Sequence, residues 1–148
     1  MKNRILFSLL FVFLLLTIVG CKSVNNNGDK KINSSNEVIE TMKILIDDNE
    51  YIVNLENNET ARKFVDMLPQ ELDMSELNGN EKYVYLDVTL PTNAYNPKRI
   101  SAGDVMLFGN NCLVIFYKSF ETSYSYTKIG HIDNLPDLGN DSVSVKFE

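Results

Sequence analysis

A chain of 148 residues, 44% apolar and 23% charged, has room for one domain with a buried core. Its 14 lysines and arginines stand against 20 aspartates and glutamates, a net charge of -6 that excludes a nucleic-acid or anionic-lipid surface built on basic charge. Two cysteines, a single histidine and no tryptophan leave little material for a disulfide framework or a metal centre.

Residues 1–20 carry Lys2 and Arg4 ahead of an apolar run from Ile5 to Val19, the order of an export signal. A transmembrane anchor is the competing reading, yet fifteen residues rising ~1.5 Å each fall short of a hydrocarbon core of roughly 30 Å. Ile18-Val19-Gly20-Cys21 resembles a bacterial lipobox, whose cysteine receives a diacylglycerol and becomes the first mature residue. Ile18 and Val19 depart mildly from the usual Leu and Ala or Ser, while Gly20 supplies the small residue at the cleavage point. The resemblance implies an exported protein held at the outer face of the cell membrane through a lipid on Cys21. Cys112 is then alone in an apolar segment and reads as a small buried hydrophobe, with a Cys21–Cys112 disulfide as the alternative. Loss of residues 1–20 removes Lys2 and Arg4, taking the balance to 12 cations against 20 acids. Residues 21–39 are rich in Asn, Ser and Lys and cannot bury a core, so they read as a flexible tether to a domain over 40–148.

Within that domain, Thr41 to Ile46 and Tyr51 to Leu55 are predicted strands around the polar turn Asp47-Asp48-Asn49-Glu50. The turn lacks the glycine and distant glutamate of a calcium loop and reads as solvated. Asn58 is placed to cap a helix starting at Glu59 and closed by Pro69, with Ala61, Phe64, Val65 and Leu68 on one apolar face lying across a barrel mouth. Leu72 to Leu77 and Lys82 to Leu90 are predicted strands flanking Asn78-Gly79, the second carrying Val84, Leu86, Val88 and Leu90 on one face and Tyr83 and Tyr85 on the other. Residues 91–99, with two prolines, read as a loop.

Asp104 to Phe108 and Cys112 to Tyr117 are apolar runs joined by Gly109-Asn110-Asn111, a predicted β-hairpin. The run Cys112 to Phe116 is apolar at every position, which predicts a strand covered on both sides. Tyr124 to Ile129 alternates as a further strand, and Ser142 to Phe147 closes the fold with Val143, Val145 and Phe147 on one side. The count of about eight strands and one helix predicts a mainly β fold, a small closed barrel.

The wording Gly103-Asp104-Val105-Met106-Leu107-Phe108-Gly109, then Cys112-Leu113-Val114-Ile115-Phe116-Tyr117-Lys118-Ser119-Phe120 and Tyr124-Ser125-Tyr126-Thr127-Lys128-Ile129-Gly130, resembles the bacterial cyclophilin-like domain family. Asn78-Gly79-Asn80-Glu81-Lys82-Tyr83 matches as well. The resemblance covers roughly residues 41 to 148 and implies a closed barrel of cyclophilin-like type with one or two helices at its ends. It also raises peptidyl-prolyl isomerisation, for which the cyclophilins place an arginine beside the prolyl nitrogen. The Phe-His-Arg and Gln-Gly-Gly-Asp strings of those enzymes are absent, with Gly103-Asp104 the only fragment. Beyond residue 20 the arginines are Arg62 and Arg99, neither in the enzymes' context. Arg62 follows a Thr60-Ala61 start that resembles the family's helix opening and has two readings, a pocket residue or a solvated helix side chain.

No cofactor motif, metal-ligand spacing, phosphate-cradling loop or nucleophile elbow accompanies these features, so no catalytic residue is assigned. The expected ligand pocket comprises Arg62, Tyr83, Tyr117, Tyr124 and Tyr126. Tyrosine has an apolar face and a polar tip suited to a peptide or a small ring compound, although aromatic residues also favour strands for packing alone. The sequence thus describes a lipid-anchored cyclophilin-like binding module, with a weak or specialised peptidyl-prolyl isomerase as the alternative.

Overall fold

The computed structural model describes residues 40–148. The expected export signal, the expected lipid site at Cys21 and the expected tether lie outside the described residues. Ten strands follow in chain order with one helix: β1 (Thr41–Ile46), β2 (Asn49–Leu55), α1 (Glu59–Val65), β3 (Gln70–Leu77), β4 (Glu81–Tyr85), β5 (Arg99–Ile100), β6 (Asp104–Phe108), β7 (Cys112–Phe116), β8 (Phe120–Glu121), β9 (Thr127–Ile132) and β10 (Val143–Phe147). Eight of them close an antiparallel barrel in the order β1-β10-β3-β4-β7-β6-β9-β2, and β5 pairs with β8 beside it. A closed barrel leaves no sheet edge open, which is how so short a domain satisfies its backbone groups.

The barrel interior is the alternate set of strand residues that sequence parity selects. Ile44 faces Phe147, Ile46 faces Val145 and Val145 faces Leu72 in register; Ile44, Ile46, Val145 and Phe147 join Val53, Val105, Leu107, Leu113, Ile115 and Ile129 in one buried cluster, with Leu72 partly buried against it. The two ends are closed differently. At one, α1 lies with Phe64 edge-on to Phe147, ring centroids 5.2 Å apart. At the other, the segment leading into β10 brings the Gly139 and Asp141 carbonyls onto the Lys82 ammonium, at 2.7 and 2.6 Å.

Several element boundaries differ from those predicted. The first turn is tighter: Asp47 and Asp48 both take positive φ, so β2 starts at Asn49. The helix ends at Val65, well before Pro69, which follows a cis peptide bond. Strand β4 stops at Tyr85, and the even parity expected to Leu90 breaks, leaving Leu86 and Leu90 buried but Val88 46% exposed. The Leu86 and Leu90 amides instead donate to the Asn111 and Asn110 carbonyls of the β6–β7 turn. Finally, the strand predicted over Tyr124 to Ile129 is displaced to Thr127–Ile132. Tyr126 exchanges both backbone hydrogen bonds with Tyr95 instead, at 2.9 Å each, so the residues before Thr127 belong to the loop side of the fold.

Candidate functional site

Side chains on β4, β6 and β7 that point away from the barrel interior do not all reach solvent. Register places Glu81, Tyr83 and Tyr85 of β4 opposite Phe116, Val114 and Cys112 of β7, and Met106 and Phe108 of β6 opposite Val114 and Cys112. The β5–β8 pair and the Tyr95–Tyr126 bridge fold over one part of this outer face. Ile100, Met106, Cys112, Val114, Phe116 and Tyr126 thereby form a second buried cluster outside the barrel. Strand β7 is therefore buried on both sides along its whole length, as its unbroken apolar run predicts.

Where that cover stops, a cleft of about 320 Å³ opens. Cys112 and Val114 form part of its lining, Tyr83 and Tyr85 contribute from β4, and Phe108, Tyr124 and Tyr126 from the other side, with Leu77, Asn78 and Glu81 completing it. The rings brace one another: Tyr83 meets Tyr85 edge-on at 6.0 Å, and Phe108 meets Tyr124 at 6.0 Å and Tyr126 at 5.6 Å. Such edge-to-face contacts hold the aromatic walls in place. Burial pushes the Tyr126 hydroxyl and the Cys112 thiol to higher pKa, so both are protonated at neutral pH. Burial also pushes the Glu81 carboxyl up, helped by the neighbouring Glu76 carboxylate.

Of the five residues predicted to line a pocket, the structure brings Tyr83, Tyr124 and Tyr126 together in this cleft and places the other two elsewhere. Tyr117 belongs to the barrel cluster, 2% exposed, and its hydroxyl donates to Glu76 Oε1 at 3.3 Å. The Lys82 ammonium sits 4.9 Å from the Tyr117 ring centroid. The Tyr117 phenol is pushed up to about 12 by burial and by the adjoining Glu76 carboxylate. Arg62 is exposed on α1 and donates from Nη1 to Asn57 Oδ1 at 2.9 Å. The expectation that Tyr117, Tyr124 and Tyr126 meet at one opening is thus corrected. Tyr117 follows Phe116 directly, and one residue along a strand reverses the side on which a ring emerges.

Tyr117→Phe is accordingly expected to lower stability by roughly 1 kcal/mol, since it leaves a half-buried carboxylate oxygen short of a donor. Tyr124→Phe, at a ring 63% exposed, should stay within about 0.5 kcal/mol of the parent. Urea denaturation of the two variants measures both, and equal losses would contradict this division of core from cleft.

Sequence reasoning overlooked Glu81, Phe108 and Cys112 as cleft residues and left Tyr85 out of the expected pocket. Strand parity carried the signal, because 81, 83 and 85 share a face, but Cys112 and Phe108 are reached only through the pairing of β6 with β7. The single histidine of the chain is His131. His131 Nδ1 lies 3.0 Å from Oδ1 of Asp104, which is 4% exposed, and Lys128 Nζ reaches the same oxygen at 3.3 Å. Asp104 Oδ2 accepts the Ser101 amide at 2.8 Å. The second ring nitrogen of His131 faces the Asp133 carboxylate at 3.7 Å, with no serine hydroxyl, so this cluster braces β6 against β9 and does not form a triad. Among the described residues no group of His, Cys, Asp and Glu is placed to hold a metal ion, and no helix is long and apolar enough to cross a membrane.

A closed eight-stranded antiparallel barrel with one short helix and an aromatic cleft on its outer wall defines a small β-barrel binding domain. Residues 44–148 match the model of the cyclophilin-like family, and the chain belongs to that family. No curated protein matches the chain significantly.

Proposed function

We propose that this protein is a binding module that holds a peptide or a small ring compound in the outer aromatic cleft, displayed at the outer face of the cell envelope by a lipid on Cys21. The observation that carries the reading is the cleft itself: about 320 Å³ lined by braced aromatic rings, a volume and chemistry suited to one ring or one side chain. An isomerase needs in addition a cation at the twisting amide. Arg62 and Arg99 do not line the cleft, so binding without catalysis is the better-supported reading.

Titration of the full chain in nonionic detergent micelles with short proline peptides and small ring compounds, followed by NMR, tests it. Shifts are expected at Tyr83, Tyr124 and Tyr126 and not at Tyr117 or Arg62, with no prolyl isomerisation above background in a protease-coupled assay. Shifts confined to the polar depression beside Glu56, Asn93 and Lys128 would place the ligand elsewhere. For the anchor, Cys21→Ala is expected to abolish lipid labelling and leave an unprocessed precursor, and normal maturation of that variant would refute it.

A further inference from the structure

Glu81 is the one acidic side chain of the cleft, and its situation is unfavourable as the protein stands. It is half-buried, it faces aromatic and aliphatic groups, and among the described residues no cation or hydrogen-bond donor reaches its carboxylate. Its cross-strand partner is Phe116, which offers nothing polar. The Glu76 carboxylate acts on it and repels it. Carboxylates in such places are ordinarily paired, because an unpaired buried charge costs free energy that folding alone does not return. The contrast with Asp104 in the same barrel is direct, since that buried carboxylate has Lys128, His131 and an amide.

The rings around Glu81 supply the other half of a recognition motif. Tyr83 and Tyr85 on one side and Phe108, Tyr124 and Tyr126 on the other present π-electron density, and a cation over such faces is attracted by the ring quadrupole. Glu81 is the one charged acceptor of the lining, beside the neutral Asn78 amide, Cys112 thiol and tyrosine hydroxyls, so a strongly hydrated ammonium would exchange its water shell for a single charged partner. An alkylated ammonium carries its charge on apolar methyl groups and loses little. We propose that the cleft binds small organic cations bearing a quaternary ammonium group, with the aromatic walls enclosing the methyl groups and Glu81 neutralising the charge. This rests on the binding-module reading of the same cleft and adds the class of ligand.

The probes are choline and its uncharged carbon isostere, in which a tert-butyl group replaces the trimethylammonium, titrated into the full chain in nonionic detergent. Choline is expected to bind about tenfold more tightly than the isostere, the range that cation–π attraction and one carboxylate supply. Its methyl protons should shift upfield because they lie over ring faces. Glu81→Gln should remove most of that preference while raising the melting temperature at neutral pH, because it deletes an unpaired buried charge and keeps the side chain's shape. Tyr85→Ala, at a side chain 64% exposed, should weaken choline without loss of fold. Equal binding of choline and the isostere at the cleft would overturn the cation proposal and leave the binding module intact. A proline peptide binding where choline gives no shift at the cleft tyrosines would have the same meaning. If neither probe nor any peptide perturbs the cleft, both readings fail together.

Discussion

Gly103→Ala is expected to cost roughly 3 to 5 kcal/mol, a large part of what a domain of this size has to lose. Gly103 sits at φ +97°, and a Cβ built on it would stand 2.0 Å from the Ile132 carbonyl oxygen and 3.0 Å from His131 Cε1. The first contact is with backbone, so no side-chain rotation relieves it. Nor can the strands part easily. The Gly103 amide donates to the Phe116 carbonyl at 2.7 Å, and its own carbonyl accepts from Ile132 at 2.8 Å, so the residue pins the end of β7 and the end of β9 at once. The next residue, Asp104, begins the β6–β9 ladder opposite His131. Gly109→Ala is the control: φ there is +61°, nothing lies within 4 Å of an added Cβ, and only the left-handed backbone cost of about 1 kcal/mol applies. Thermal denaturation of the two variants separates crowding from conformation. A Gly103→Ala loss no larger than that of Gly109→Ala would mean that the β6–β9 junction yields, contrary to the close approach seen there.

Gly103 also illustrates what a sequence conveys and what it withholds. Alternation is a local property, so the barrel-facing residues Val143, Val145 and Phe147 of β10 were legible from parity, the Asn58 cap from its residue type and the doubly buried β7 from its unbroken apolar run. The Asn58 side-chain oxygen Oδ1 accepts the Ala61 amide at 2.8 Å, the bond that a cap supplies. Tyr83, Tyr124 and Tyr126 were legible as residue types, but their meeting depends on the Tyr95–Tyr126 bridge, which joins segments 31 positions apart and leaves no periodic trace. Lys82 was hidden for a different reason. It occupies an interior position of β4, fully buried, because the Gly139 and Asp141 carbonyls wait at the barrel end to receive it. No local pattern announces a lysine whose partners come from a distant loop. Burial pushes its pKa down, while the Glu76 and Asp141 carboxylates oppose that shift.

The second large effect lies at the opposite end. A helix of seven residues is too short to persist on its own, so α1 must be held by what it touches. Asn58 Nδ2 donates to the Lys128 carbonyl at 2.7 Å and Thr60 Oγ1 to the Pro91 carbonyl at 2.7 Å, which fasten its first turn to β9 and to the loop between β4 and β5. The remaining hold is apolar. Phe64 is fully buried and meets Phe147 edge-on, at the far end of β10 from the Lys82 closure. Phe64→Ala is therefore expected to cost about 3 to 5 kcal/mol, combining lost transfer energy with the cavity left where the ring was. Lys63→Ala, one residue earlier on the exposed side and paired only with Asp66 at the surface, should change stability by less than about 0.5 kcal/mol. Because the cleft lies on the outer wall of β4, β6 and β7, Phe64→Ala should leave ligand affinity unchanged at temperatures where the domain is folded. Amide hydrogen exchange reads the same substitution locally: α1 and the Phe147 end of β10 should lose protection before β7 does. If β7 opens as early as α1, the helix is not a separable plug, and the barrel and its closure form one cooperative unit.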